Sequence, residues 1–218
     1  MATEKGIQTY FLTITILPQK SGLNLRNLIH GINDTFENFA GNVKVVYKFK
    51  VSGEARVIAV VDVPYIVAFE NFIEALWDLG SVDISSVPLL HYDIFARNLG
   101  VAEDIASLPD PVLLKDNLYW LEFEIDYQGK TLDAFLDLWK REAEYVLTPR
   151  ARGETTLIPY KTLGQRKVHV FINNPFAGKL DKATFELPIV IENGHNIQAR
   201  AKGVQFLVEY IKDHPLKK

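Results

Sequence analysis

The strongest constraint on this chain is internal repetition, because a sequence that restates itself after half its length folds as two like modules. Tyr10-Phe11-Leu12-Thr13-Ile14-Thr15-Ile16 is answered by Tyr119-Trp120-Leu121-Glu122-Phe123-Glu124-Ile125, and Tyr47-Lys48 by Tyr160-Lys161. Gly53 to Pro64 is answered by Gly164 to Pro175. Both segments carry Gly, a basic residue three positions on (Arg56, Lys167) and a Val-rich run ending at Pro. The offsets are 109, 113 and 111 residues in a chain of 218.

Each copy spells the same order of elements. In the first, Ile7 to Leu17 alternates like a strand, and Leu25, Leu28, Ile29, Ile32, Phe36 and Phe39 recur at helical spacing. Val43 to Val51 and Ala55 to Asp62 flank Ser52-Gly53-Glu54 as a hairpin. A helix with Phe69, Phe72, Ile73, Leu76 and Trp77 inward follows, then a strand from Val82 to Phe95. In the second copy, Leu118 to Tyr127 reads as strand, and the next helix turns Leu132, Phe135, Leu136, Trp139, Ala143 and Val146 inward. Strands at Thr155 to Thr162 and Arg166 to Asn173 come next, then a helix near Leu180 to Val190 interrupted by Pro188. Beyond Asn193-Gly194 the pattern fits a strand through Ile211 or a helix over Gln205 to Lys212. Lys44, Lys48 and Lys50 form a basic ladder suited to a protected edge strand. The expected domains are residues 1–96 and 118–218, joined by a linker at 97–117.

Twenty-four basic against 27 acidic residues leave a net charge of −3, which offers no electrostatic footing for nucleic acid. The absence of cysteine excludes disulfides and thiolate chemistry. Three convergent zinc ligands are not apparent among the five histidines, so no metal is expected. Met1 to Gly6 lacks the layout of a signal peptide, and no apolar run is long enough for a membrane span. A cytoplasmic protein without membrane partners is the expectation.

A β-α-β-β-α-β unit of this size folds as a ferredoxin-like α+β module with both helices on one face of an antiparallel sheet. The other face carries Trp120, Glu122 and Glu124 in one copy and Phe11, Thr13 and Thr15 in the other, too apolar for a fully wet surface. Two such tandem modules are expected to form a pseudo-dimeric α+β barrel. The Tyr-x-Leu-x-Phe/Ile strand, the Lys-x-x-Gly-x-x-Arg/Lys-Val hairpin and Val61-Asp62-Val63-Pro64 resemble muconolactone isomerase-like proteins of the dimeric α+β barrel group. Pro88-Leu89-Leu90-His91 and Leu138-Trp139-Lys140-Arg141-Glu142-Ala143-Glu144 extend the resemblance. It implies proton transfer on a small lactone or carbonyl compound without a cofactor, by a monomeric pseudo-dimer or a homo-oligomer. Heme-dependent barrels of this kind also exist, which leaves an axial histidine such as His91 open.

Strand geometry supplies the candidate site. With the first and third strands of the second copy adjacent, Lys167, His169 and Phe171 share a face with Trp120, Glu122 and Glu124. A carboxylate, an imidazole and an ammonium together could move a proton and steady an enolate. Glu122 or Glu124 is the expected base, His169 the proton shuttle and Lys167 the enolate partner. Trp120, Phe171, Tyr160, Phe11, Arg56 and His91 are the expected substrate contacts. The alternatives are cross-strand charge pairing, a non-catalytic small-molecule carrier using the same cavity, and a module that buries its sheets against another chain.

Overall fold

The computed structural model describes residues 6–18 and 25–216; Met1 to Lys5, in the segment read for a leader, lie outside them. The chain is α+β, and its eight antiparallel strands follow the order β1-β3-β2-β8-β5-β7-β6-β4 in a closed barrel. It divides into two compact units: the described residues through Leu89 with Val204 onward, and Leu90–Gly203.

In the first unit, β1 (Gln8–Ile16) lies between β3 (Arg56–Val63) and β4 (Val82–His91), and β2 (Lys44–Val51) pairs with β3 on one side and the end of β8 (Ile197–Phe206) on the other. Alternating Leu12, Ile14 and Ile16 meet Leu28, Ile29, Ile32 and Phe36 of α1 (Leu25–Asn38) and Phe69, Phe72 and Leu76 of α2 (Ile66–Trp77). Trp77, expected inward, is 52% exposed, because Phe72, Ile73 and Leu76 already fill the inward stripe. Phe36 and Phe39 tilt onto Phe72, so aromatic rings fill the space between helices and sheet.

In the second unit, β5 (Leu118–Ile125) lies between β7 (Lys167–Asn173) and β8, and β6 (Leu157–Thr162) pairs with β7. Leu121, Phe123, Ile125, Val168 and Val170 face α5 (Leu132–Ala151). The face of α5 is rotated from the expected stripe. Phe135, Leu138, Trp139, Glu142, Ala143, Leu147 and Arg150 are buried, whereas Leu132 is exposed.

The expected second helix is two helices, α6 (Ala177–Phe185) and α7 (Pro188–Asn193). Proline cannot donate to a helix interior, so Leu187 turns extended and Pro188 restarts the helix at its first position.

The ends of two strands differ from the expected bounds. The strand expected to run to Phe95 ends at His91, and α3 (Tyr92–Asn98) follows, with the short α4 (Glu103–Ala106) after it. At the C-terminus the chain is strand through Phe206 and helix from α8 (Leu207–Asp213), so both alternatives hold in part. In each case the final helix covers apolar positions: Leu207, Tyr210 and Ile211 pack on the first core, and Tyr92, Phe95 and Ala96 on the second.

The lysine ladder is an edge only in part: β2 pairs with β3 along its length, but with β8 over Phe49 to Val51, which brings Lys50 inside the sheet. Lys48 pairs with Asn33 and Glu37 of α1. Lys50 is buried and donates to the carbonyls of Val51 (2.6 Å) and Glu54, closing the hairpin turn. Lys161 does the same in the second unit, donating to Thr162 O (2.8 Å) and Gln165 O. These turn carbonyls need donors, and the lysine supplies them.

Candidate functional site

The sheet register places the expected residues together. Trp120 is opposite Phe171, Glu122 opposite His169 and Glu124 opposite Lys167, all on the face away from α5. Tyr160 is opposite His169 on the same face, and its ring meets Phe171 at 6.5 Å and His91 at 5.3 Å. Phe11 and Arg56 belong to the first unit; Phe11 is buried on β1, and Arg56 pairs with Glu54 at 3.1 Å.

The charges on this face are engaged with one another. Lys167 Nζ lies 2.6 Å from Glu124 Oε1 and 3.7 Å from Glu122 Oε2, while Arg200 Nη1 donates to Glu122 Oε1 at 3.0 Å. The hydrogen bond from Lys167 holds the Glu124 carboxyl below the usual carboxylate range.

The indole N–H of Trp120 donates to His169 Nδ1 at 3.2 Å, which leaves the ring's own proton on Nε2 when the imidazole is neutral. Burial, reinforced by Lys167, pushes the His169 pKa down to about 3. An imidazole held neutral in this way keeps its single ring proton and takes up no second one near neutral pH.

His91 sits in a separate polar cluster. Its Nε2 is 3.0 Å from Asp110 Oδ2, and Arg150, almost wholly buried, donates to Asp93 Oδ2 at 2.6 Å. Burial opposes a charge on His91, but the Asp110 hydrogen bond and the charges of Asp110 and Asp93 outweigh it and raise its pKa.

The opposite face of the same sheet holds a feature that was not expected. A cavity of about 260 Å³ lies between the sheet and α5, α6 and α7, walled by Leu121, Phe123, Val168, Val170, Leu180 and Leu187. Glu142 forms part of this wall and is 6% exposed. The backbone N–H of Ile189, in the first turn of α7, donates to its Oε2 at 3.1 Å.

Burial outweighs that hydrogen bond and pushes the Glu142 carboxyl up to about 7. Tyr92 and Tyr145 also line the cavity, as does Trp139. Burial and the Glu142 charge push the Tyr92 hydroxyl upward, so it stays a neutral phenol. The buried Trp139 indole N–H closes no full hydrogen bond, although it stands near enough to the Tyr92 oxygen to favour its ionised form slightly.

Glu142 was legible only as part of the helix. It falls three residues after Trp139 and seven after Phe135, inside the apolar stripe, where a carboxylate is out of place.

A heme does not suit this cavity. No histidine, cysteine or methionine lines it, Tyr92 is held as a phenol, and His91, outside the lining, has its Nε2 engaged by Asp110. The described residues form no cluster of three or more His, Cys, Asp or Glu side chains able to hold a metal ion. None of their helices is long and apolar enough to cross a membrane.

No protein-family model matches the chain, and no curated protein sequence matches it. Solved structures do. An arginine-substituted chlorite dismutase from Candidatus Nitrospira defluvii aligns at 13% identity over 97% of each chain, with a TM-score of 0.61. A doubly substituted form of that enzyme aligns at 11% identity over 98% of each chain, TM-score 0.64. Its complex with imidazole aligns at 12% identity over 97% of this chain and 96% of that one, TM-score 0.63. These are chlorite dismutases and not muconolactone isomerases. At such identities the likeness establishes the α+β barrel fold, the broad group that the sequence suggested.

Proposed function

We propose that this protein binds a small, largely apolar organic molecule in the second-unit cavity, with Glu142 as its polar anchor. One observation carries this reading: an apolar cavity of about 260 Å³ with a single buried carboxyl in its wall. A mostly apolar enclosure with few polar groups is the usual form of a small-molecule site.

Native mass spectrometry of freshly purified protein tests it, alongside the cavity-filling variant Val170→Phe. The expected result is an adduct of small-molecule mass on the natural chain that is absent from the variant. An adduct that survives in Val170→Phe, or a bare natural chain that takes up no apolar compound on addition, overturns it.

A second reading has its own support. A carboxyl pushed to about 7 can act as base and as acid near neutral pH. Such a group can remove a proton beside the carbonyl of a small lactone and return it at another carbon, an isomerisation that needs no cofactor. Glu122, Glu124, His169 and Lys167 are the alternative seat for that chemistry, on the other face. Their mutual pairing and the neutral imidazole weigh toward Glu142. Turnover of a carbonyl compound that is lost in Glu142→Gln and kept in Glu122→Gln would favour this reading over binding alone.

A further inference from the structure

Glu142 is a buried carboxylate without a cation. Among the described residues it makes no ion pair, and its hydrogen bond comes from a neutral backbone amide. The positive groups on the surrounding elements are engaged elsewhere. On α5 itself, Arg141 is tied to Glu192 of α7 at 2.5 Å, and Lys140 lies 3.9 Å from Glu144. On β6, Lys161 is held by its hairpin carbonyls and lies 5.3 Å over the Trp139 ring, and from α3 the group that reaches toward Glu142 is the Tyr92 phenol. A charge buried this way is costly unless a partner arrives to pair with it.

Aromatic rings share the otherwise aliphatic lining with the carboxyl. Tyr92, Trp139, Tyr145 and Phe123 line the same cavity, and Tyr145 is 45% exposed, so the wall reaches solvent. Aromatic faces attract cations through their quadrupoles, most strongly where water is excluded. Aromatic rings beside a lone carboxylate favour an ammonium over a neutral ligand, and repel an anion. Resting on the binding reading above, we infer that the cavity takes an organic cation, an amine on a compact apolar skeleton, with Glu142 as its counter-ion and Tyr92 and Tyr145 as its aromatic contacts.

Three probes of one skeleton test this by calorimetric titration: phenethylamine, phenethyl alcohol and phenylacetate, which are cation, neutral and anion. At about pH 8, above the Glu142 midpoint, the amine is expected to bind at least about tenfold more tightly than the alcohol, and phenylacetate not to bind measurably. Glu142→Gln should bring the amine's affinity to within about threefold of the alcohol's in the same variant, while a cooperative thermal unfolding transition reports that the variant is folded. Equal binding of amine and alcohol by the natural chain overturns the inference and leaves the cavity reading standing, as does an amine preference that persists in Glu142→Gln. Failure of all three probes to bind overturns both the inference and the reading beneath it.

Discussion

Lys50 in the first unit and Lys161 in the second hold their hairpin turns through equivalent pairs of carbonyls, and each is covered by an aromatic ring from a short helix, α8 over Lys50 and α3 over Lys161. Tyr210 lies 5.4 Å from Lys50, and Phe95 lies 5.4 Å from Lys161. The neighbouring residues depart from this symmetry in a consistent direction. Phe49 packs on Phe206 in the first unit, where Tyr160 packs on His91 in the second. Thr13 and Ile58 are register partners in the first unit, Glu122 and His169 in the second.

Helix α1 buries Leu28, Ile29, Ile32, Thr35 and Phe36, without a carboxylate; α5 buries Glu142 and Ala143. One continuous helix, α2, covers the first sheet, where α6 and α7 break at Pro188 over the second. Substitutions toward polar side chains and a broken helix both fall in the unit that contains the cavity. The difference teaches that the hairpin device carries the fold, while the helix layer is free to diverge toward a site.

The comparison can be broken with matched substitutions. Leu12 and Leu121 hold the same strand position, with Leu12 wholly buried and Leu121 7% exposed against the cavity. Leu12→Ala is expected to cost about 4–5 kcal/mol, the upper part of the usual range, because its neighbours close on all sides. Leu121→Ala should cost about 2–3 kcal/mol, since its side chain already lacks partners on the cavity side. Equal losses in urea unfolding would mean that the two helix layers are packed alike.

A smaller effect sharpens the contrast at Glu142. Its folded-state pKa, about 7, stands above the ordinary 4.5, so its contribution to stability is full below 4.5 and is lost as pH rises through 7. Glu142→Gln does not titrate. It should match the natural chain near pH 5 and exceed its stability by on the order of 2–3 kcal/mol near pH 8. Thermal unfolding across that window checks it, and parallel curves would contradict the raised pKa.

Much of the fold was legible because it follows from period and repetition. Alternating strands, the hairpin glycines and the register that sets Glu122 against His169 all depend on local pattern. The counterpart of Tyr160 was misread as Tyr47. The matching hairpin lysines, Lys50 and Lys161, align Tyr160 with Phe49 instead. The cavity was not legible at all. It depends on how α5 rotates, on where Pro188 restarts a helix, and on a carboxylate whose place in an apolar stripe becomes meaningful only once the stripe is seen to face inward.

The contrast between the units rests on the apolar cavity of the second, set against the buried core of Leu12, Phe36 and Phe72 in the first. Crystals pressurised with xenon test it directly, because a dry apolar cavity takes up the gas and a packed core does not. Xenon density is expected among Leu121, Val170 and Leu187, and none among Leu12, Phe36 and Phe72. Density in the first core, or none in the second unit, would contradict it.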